Sequence, residues 1–289
     1  MIEGLIKLSR GLLRNRKTSV PFVSSLTYTL RGQTFAEHWT PSNGKPTAAR
    51  GENRALQGDA LNPLKTYFDA HVEGRGIWKF IHYFDIYTRH LAKFVGTDVR
   101  VMEIGVYSGG SLGMWREYFG PKCHVYGVDV QEACKAYEDE NTTILIGDQA
   151  DRQFWQTVKS RSPEIDVLID DGGHLPEQQV VTLEEMLPQL RPGGVFICED
   201  VHGIRNAFTA YTAGLVDHLN EYVSTGRPRE FEATGFQQSV YSMHYYPYVV
   251  VIEKAERPVS RFACPKHGTV WQPFLGEAKV HLNPETDSR

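Results

Sequence analysis

The chain has 289 residues, of which 41% are hydrophobic and 23% charged, an ordinary composition for a globular protein with one large α/β domain. Its formal charge of −4 argues against a protein built mainly to bind nucleic acid, because no basic excess neutralises phosphates. No apolar run approaches the length of a transmembrane helix. The four cysteines have no CxxC spacing, so we expect reduced thiols in a cytoplasmic protein.

Residues 1–76 are predicted to be an N-terminal extension of the main domain. The first 17 residues carry five basic side chains and one acid, with apolar residues at near-helical spacing. This pattern fits a membrane-surface helix, a transit peptide, a docking helix or a contact in a homo-oligomer, and we assign it no function. Residues 31–76 are rich in Gly, Pro, Asn and Thr and are predicted to form a loop-rich cover.

Residues 77–254 are predicted to form the main domain, followed by a C-terminal tail over 255–289. Apolar and aromatic residues at intervals of three and four predict a helix over 77–94. Short apolar runs then predict five strands, at 99–105, 123–130, 142–147, 165–170 and 194–200, with helices around 110–119, 151–161, 176–190 and 205–223.

Two β-rich runs, 237–246 and 248–254, close the main domain and predict a hairpin. Because the first five strands alternate with helices, right-handed crossovers should place them side by side in parallel. The fold class predicted from this order is α/β, with a mainly parallel seven-stranded sheet and a terminal antiparallel hairpin.

Two acidic pairs directly follow apolar runs: Asp170-Asp171, in the motif Asp-Asp-Gly-Gly-His that ends at His174, and Glu199-Asp200. The carboxyl ends of parallel strands form the ligand crevice of such a sheet, so these side chains should converge there. Unpaired, they would repel one another and lose hydration, which predicts a bound divalent cation. Oxygen ligands favour Mg²⁺, with Mn²⁺ as the alternative, over zinc.

Each acid of the later pair, taken alone, would more often be a solvated strand end. The pairing with Asp171 at a neighbouring strand end favours the metal site over that interpretation. Asp170 is assigned to the cofactor side instead, because neighbouring residues of a strand point in opposite directions.

The loop after the first predicted strand reads Glu-Ile-Gly-Val-Tyr-Ser-Gly-Gly-Ser over residues 103–111. Its glycines permit a sharp turn and a close approach by a ligand. The spacing is not G-x-G-x-x-G and Glu103 would repel a phosphate, so the loop favours a positively charged cofactor without phosphate over NAD. Asp129, at the end of the second strand, is placed to accept hydrogen bonds from a ribose.

In these motifs residues 77–254 resemble class I S-adenosylmethionine-dependent methyltransferases, which implies a Rossmann-like fold. The loop 103–111 is similar to the first motif of that family, Asp129 to its ribose acid, and Gly147-Asp148-Gln149 to the turn beside adenine. The expected cofactor site therefore comprises Glu103, Gly105, Ser108, Gly109, Asp129, Asp148, Gln149 and Asp170.

The motif that ends at His174, followed by Glu199-Asp200, is similar to the metal-dependent sugar O-methyltransferases of macrolide biosynthesis. The cephalosporin hydroxylase family shares a related pattern. The resemblance implies that Asp171, Glu199 and Asp200 bind Mg²⁺ and that His174 is the general base, a role that suits the ordinary pKa of histidine. Gly173 stands where those enzymes usually have Ser, which leaves the substrate open.

The expected activity is transfer of a methyl group from S-adenosylmethionine to a hydroxyl of a small molecule, such as a sugar or a polyhydroxylated natural product. One alternative is an iron-dependent hydroxylase that uses His174, Asp171 and either His202 or His244. Another is a non-catalytic cofactor-binding partner subunit, which would need no base. We expect no nucleic-acid partner and no firm membrane association.

Overall fold

The computed structural model describes residues 16–38, 62–227, 230–265 and 267, with only the backbone for residues 16–25. The chain divides into two units, Met1–Gly58 and Asp59–Arg289. In the first unit, helix α1 spans Arg16–Glu37, and most of its side chains from residue 26 onward are exposed. The predicted loop was therefore wrong over residues 31–37. The basic segment 1–15 lies outside the described residues.

Two helices precede the sheet in the second unit. Helix α2, Pro63–Ala70, lies in the segment predicted to be loop-rich. Asn62 caps it by accepting a hydrogen bond from the Lys65 backbone N–H at 3.1 Å, and proline suits a first helical position. Helix α3 spans Tyr83–Leu91, so the helix predicted over 77–94 begins six residues later than expected and continues only as a 3₁₀ turn, Ala92–Phe94.

The central sheet follows the predicted order of strands and helices. Its parallel strands are β1 (Arg100–Ile104), β2 (His124–Asp129), β3 (Thr142–Ile146), β4 (Ile165–Asp170) and β5 (Leu190–Cys198). The helices that connect and follow them are α4 (Gly110–Phe119), α5 (Arg152–Arg161), α6 (Pro176–Met186) and α7 (Ala207–Leu219).

The chain closes with short elements and the hairpin. They are β6 (Val223–Ser224), β7 (Glu230–Glu232), α8 (Gly235–Ser239), β8 (Val240–Tyr246), β9 (Val249–Lys254) and β10 (Arg261–Ala263). The sheet order is β3-β2-β1-β4-β5-β9-β8, with β9 antiparallel to β5 and to β8. This confirms the predicted sheet with its terminal antiparallel hairpin.

The structure also contains two local features that the pattern did not predict. Strands β10, β7 and β6 form a separate three-stranded sheet, so part of the predicted tail is ordered against the domain. Residues 237–239 belong to helix α8 instead of a strand, because Thr234 and Gln237 form a reciprocal capping box there.

The core lies on both faces of the central sheet. Alternate residues of β4 point to opposite faces: Val167 and Ile169 pack with α3 and α4, and Leu168 packs with α5 and α6. Every residue of β4 is buried, as expected for a parallel strand covered on both sides. Among the described residues no helix is both long enough and apolar enough to span a membrane.

Candidate active site

A cavity of about 650 Å³ opens at the carboxyl edge of the central sheet. The register of the strands creates this edge, because Ile104 pairs with Val128 and Asp170, and Asp170 pairs with Cys198. The strands therefore end level, and the residues that follow them meet at one place. The volume lies in the range of small-molecule sites.

Asp171, His174 and Asp200 come together in this cavity. Each offers a ligand atom, and these atoms lie within 4.8 Å of one another. The His174 Nε2 atom lies 3.5 Å from Asp200 Oδ2, and His202 Nε2 lies 3.5 Å from the other carboxylate oxygen, Oδ1. The hydroxyl of Tyr83 donates a hydrogen bond to Asp200 Oδ1 at 2.7 Å. Two predicted metal ligands and the predicted base thus share one cluster.

Glu199, the third predicted metal ligand, is fully buried and contacts other side chains. Its Oε2 atom accepts a hydrogen bond from Lys79 Nζ at 3.0 Å, and its Oε1 atom accepts one from the Tyr87 hydroxyl at 2.5 Å. The Lys79 ammonium also lies 2.7 Å from Asp171 Oδ2 and 3.5 Å from Glu103 Oε1. One buried ammonium group therefore joins three carboxylates.

The pKa values of Glu199 and Lys79 depend on both burial and the neighbouring charges. Burial raises the pKa of Glu199 above its usual value, although the Lys79 ammonium opposes this rise. Burial by itself lowers the pKa of Lys79, but the negative charges of Glu199 and its neighbours raise that pKa well above its usual value. Lys79 therefore stays positively charged at neutral pH.

Five of the predicted cofactor residues line the cavity: Gly105, Ser108, Asp129, Asp148 and Gln149. The carboxylate of Asp129 is held at the end of β2 by two backbone N–H groups, from Tyr107 at 3.0 Å and Gln131 at 2.8 Å. Gly105 has a φ of +89°, and a Cβ there would lie 2.0 Å from the Asp171 carbonyl oxygen. Only glycine fits this turn without displacing the backbone.

The other three predicted cofactor residues, Glu103, Gly109 and Asp170, lie behind the cavity wall. Glu103 accepts a hydrogen bond from the Ser111 hydroxyl at 2.7 Å, and Asp170 Oδ1 accepts one from the Gln149 amide at 3.0 Å. Burial raises the pKa of Asp170 to about 7. Within the described part of the chain, Glu103 Oε1 and Asp170 Oδ2 are buried without a hydrogen-bond partner.

Three cavity residues other than glycine have left-handed backbone conformations. Their φ angles are 48° at Tyr107, 56° at His174 and 54° at Asp200. Such conformations cost about 1–3 kcal/mol each and persist where the surroundings hold them. Here the Tyr107 N–H is bonded to Asp129 and the Asp200 carboxylate to Tyr83. Hydrogen bonds within the site therefore stabilise the turns that follow β1 and β5.

The sequence interpretation did not single out Lys79, Tyr83 or Tyr87. All three come from the segment 77–94, for which the sequence predicted only a helix. A lysine surrounded by Trp78 and Phe80 in an apolar run is the signal that could have pointed to a buried ammonium. His244, a secondary candidate, does not line this cavity, whereas His202 does.

Residues 102–201 match a family model described as a methyltransferase domain. The chain is 34% identical over 145 residues to demethylmacrocin O-methyltransferase of Streptomyces fradiae, over 47% of this chain and 35% of that protein. It is 32% identical over 203 residues to the 8-demethyl-8-alpha-L-rhamnosyl tetracenomycin-C 2'-O-methyltransferase of Streptomyces olivaceus, over 63% of this chain and 52% of that protein. The chain thus spans about a third to a half of these relatives.

A solved structure supports the predicted fold. The MycE methyltransferase from the mycinamycin biosynthetic pathway, in complex with Mg and SAH, aligns with a TM-score of 0.55 and 24% sequence identity. The alignment covers 68% of this chain and 54% of that chain. At this level of identity the likeness shows the fold, and the predicted Rossmann-like methyltransferase fold is confirmed.

Proposed function

We propose that the protein transfers a methyl group from S-adenosylmethionine to a hydroxyl group of a small molecule, in a Mg²⁺-dependent reaction with His174 as general base. The observation that carries this proposal is the meeting of Asp171, Asp200 and His174 in the cavity that also contains Gly105 and Asp129. The names of the relatives favour an acceptor hydroxyl on a sugar or on another polyhydroxylated natural product.

The donor set fits a magnesium ion. Asp171 and Asp200 present carboxylate oxygens to the cavity, and such oxygens are the ligands that Mg²⁺ prefers. Glu199 remains a proposed third ligand, and it would have to exchange a contact with Lys79 or Tyr87 for the ion. When bound, Mg²⁺ would lower the pKa of an acceptor hydroxyl and orient it.

The wall of the cavity fits S-adenosylmethionine, which supplies the electrophilic methyl group. Asp129 has used two of its acceptor positions on backbone N–H groups, and its remaining lone pairs can accept hydrogen bonds from ribose hydroxyls. Asp148 and Gln149 would border the adenine. The acidic side chain of Glu103 lies just behind the wall, where negative charge favours a sulfonium over a phosphate-bearing cofactor.

The position of His174 supports its proposed role as the group that accepts a proton from the acceptor. Its imidazole lines the cavity beside Asp200, so the carboxylate would stabilise the imidazolium that forms as the acceptor oxygen attacks the methyl group. His202 lies against the other oxygen of the same carboxylate and is the second candidate for the base.

The geometry favours the methyltransferase over the iron-dependent hydroxylase. The ligand atoms that converge in the cavity come from two carboxylates and one histidine, His174. In the described part of the chain, His244 lies in a separate cluster with His90 and Glu253. His202 lines the cavity beside Asp200 but is not among these converging atoms, so the group differs from the two histidines and one carboxylate typical of non-haem iron.

Calorimetric titration of S-adenosylmethionine in Mg²⁺ and then in EDTA tests the proposal, followed by assays of S-adenosylhomocysteine formation on glycosylated small molecules. We expect saturable cofactor binding in both buffers and turnover only with Mg²⁺. Absence of cofactor binding in both buffers would overturn the proposal. Cofactor binding without turnover on any glycosylated acceptor would favour the non-catalytic partner subunit instead.

A further inference from the structure

Lys79 provides a fixed positive charge among the acids of the site. Its side chain is only 2% exposed, and its ammonium lies 2.7 Å from Asp171, 3.0 Å from Glu199 and 3.5 Å from Glu103. These acids lie on or directly after β1, β4 and β5, so the lysine joins three neighbouring strands at their carboxyl ends. A lysine ammonium has three donor hydrogens, enough to face all three carboxylates.

The three carboxylates depend on this one cation. Across the residues that the structure describes, no other basic side chain lies within 4.0 Å of Glu103, Asp171 or Glu199. Glu103 and Glu199 are fully buried, and removal of one partner from a buried ion pair leaves an uncompensated charge at a high cost in stability. Among the described residues, the Lys79 ammonium is therefore the one positive charge close enough to balance these three carboxylates.

The contact also sets the direction of Asp171. Lys79 holds the Oδ2 atom of that carboxylate, and the Lys79 side chain itself lines the cavity. The segment around Lys79 lies outside any helix or strand, in place of the predicted helix, and Lys79 is buried in the acidic cluster while Trp78 remains 88% exposed. The acidic edge is thus held in place before any metal ion arrives.

We infer that Lys79 is a positioning residue: it serves as the built-in cation of the site, orienting Asp171 and balancing Glu103 and Glu199 in the metal-free protein. The part of this inference that concerns Mg²⁺ rests on the proposed function. Since like charges repel, the ammonium also weakens binding of a divalent ion at the adjacent carboxylates. Removal of Lys79 should therefore destabilise the metal-free protein and strengthen its binding of Mg²⁺.

The test compares Lys79→Met with a matched variant, Lys159→Met, at mildly alkaline pH. Lys159 is a partly buried lysine on α5 that pairs with Glu185 at 2.6 Å and does not line the cavity. We expect Lys79→Met to lower the melting temperature in EDTA by roughly 10 °C, and excess Mg²⁺ to restore most of that loss. In calorimetric titrations, Mg²⁺ should bind Lys79→Met about tenfold more tightly than it binds the parent.

Lys159→Met should lower the melting temperature equally with and without Mg²⁺ and keep the parent's Mg²⁺ affinity. If Lys79→Met behaves in that way, Lys79 is only a structural lysine and the inference is overturned. The double variant Lys79→Met/Glu199→Gln, measured in EDTA, should recover at least half of the lost melting temperature, because one carboxylate has gone with the cation. No recovery would contradict the charge balance, even if the single variant does not fold.

The EDTA measurements separate this inference from the proposed function. If the parent binds no Mg²⁺, the metal part of the proposed function fails. The melting temperatures of the single and double variants without metal still decide whether Lys79 balances the acids.

Discussion

Two partly buried polar networks contact the segment 79–90, and they differ in how completely their atoms are paired. The site network comprises Lys79 and the acids at the strand ends, Glu103, Asp170, Asp171, Glu199 and Asp200. The hairpin network lies between α3 and the hairpin and comprises His90, Ser242, His244, Tyr246 and Glu253. In the hairpin network, His90 Nδ1 lies 2.7 Å from Glu253 Oε1 and His90 Nε2 lies 2.9 Å from the Tyr246 hydroxyl.

Both networks bring metal-ligand types together. His90, His244 and Glu253 offer ligand atoms within 4.8 Å of one another, as do Asp171, His174 and Asp200. The hairpin network, however, already uses both nitrogens of its buried histidine, and the large cavity does not include it. The site network borders the cavity, and its buried Asp170 Oδ2 has no hydrogen-bond partner among the described residues. Incomplete pairing beside a cavity, more than proximity of ligand types, indicates where a ligand binds.

The largest expected difference between the two networks is in Mg²⁺ affinity, after one carboxylate has been removed from each. Asp200→Asn should weaken Mg²⁺ binding by more than about 100-fold and slow turnover by about 1,000-fold, because it removes a proposed ligand. Glu253→Gln should change Mg²⁺ affinity by less than about twofold and only lower the melting temperature. Calorimetric titration of both variants measures the difference. Comparable losses of Mg²⁺ affinity would show that the hairpin network also binds metal.

Substitution of His174 tests the proposed base separately from the proposed metal ligands. His174→Ala should slow methyl transfer by about 100-fold to 10,000-fold, because the base is lost, while S-adenosylmethionine and Mg²⁺ still bind. His218→Ala is a matched control, since His218 is an exposed histidine whose Nδ1 lies 3.1 Å from a carboxylate oxygen of Glu221. Turnover assays and titrations separate these effects. A normal rate in His174→Ala would transfer the role of base to His202.

The two networks should respond to pH with opposite sign. Burial raises the pKa of Asp170 from 3.8 to about 7, so its stabilising protonation is complete below 3.8 and is lost as the pH rises to about 7. The hydrogen bond from His90 lowers the pKa of Glu253 below 4.5, so its contribution is present above 4.5 and is lost as the pH falls through the lowered value.

Thermal unfolding in EDTA across this pH range tests whether the two residues affect stability in opposite directions. Asp170→Asn should flatten the decline in stability between about pH 4 and pH 7, by about 4 kcal/mol at most. Glu253→Gln should flatten only the decline on the acidic side, by about 1 kcal/mol. If both variants changed the stability over the same part of the pH range, the assignment of opposite signs would be wrong.

Much of the fold was predictable because it is encoded locally. The apolar runs of β1 to β5 and the turn residues between them predicted each strand to within a few residues. The alternation of strands and helices then predicted the parallel sheet. The placement of Asp171 and Asp200 at one edge followed from the same order, since the carboxyl ends of parallel strands share an edge.

The tertiary structure alone decided which side chains complete the site. Lys79 reaches Asp171 across 92 positions of sequence and Glu199 across 120, and no local periodicity encodes such contacts. Residues 77–80 form no helix although their spacing predicted one, and Glu199 contacts a lysine and a tyrosine. Local patterns therefore determined the strands and the edge where the acids meet. Long-range burial of charge decided how those acids are paired, because an acid buried away from water needs a partner wherever the chain can supply one.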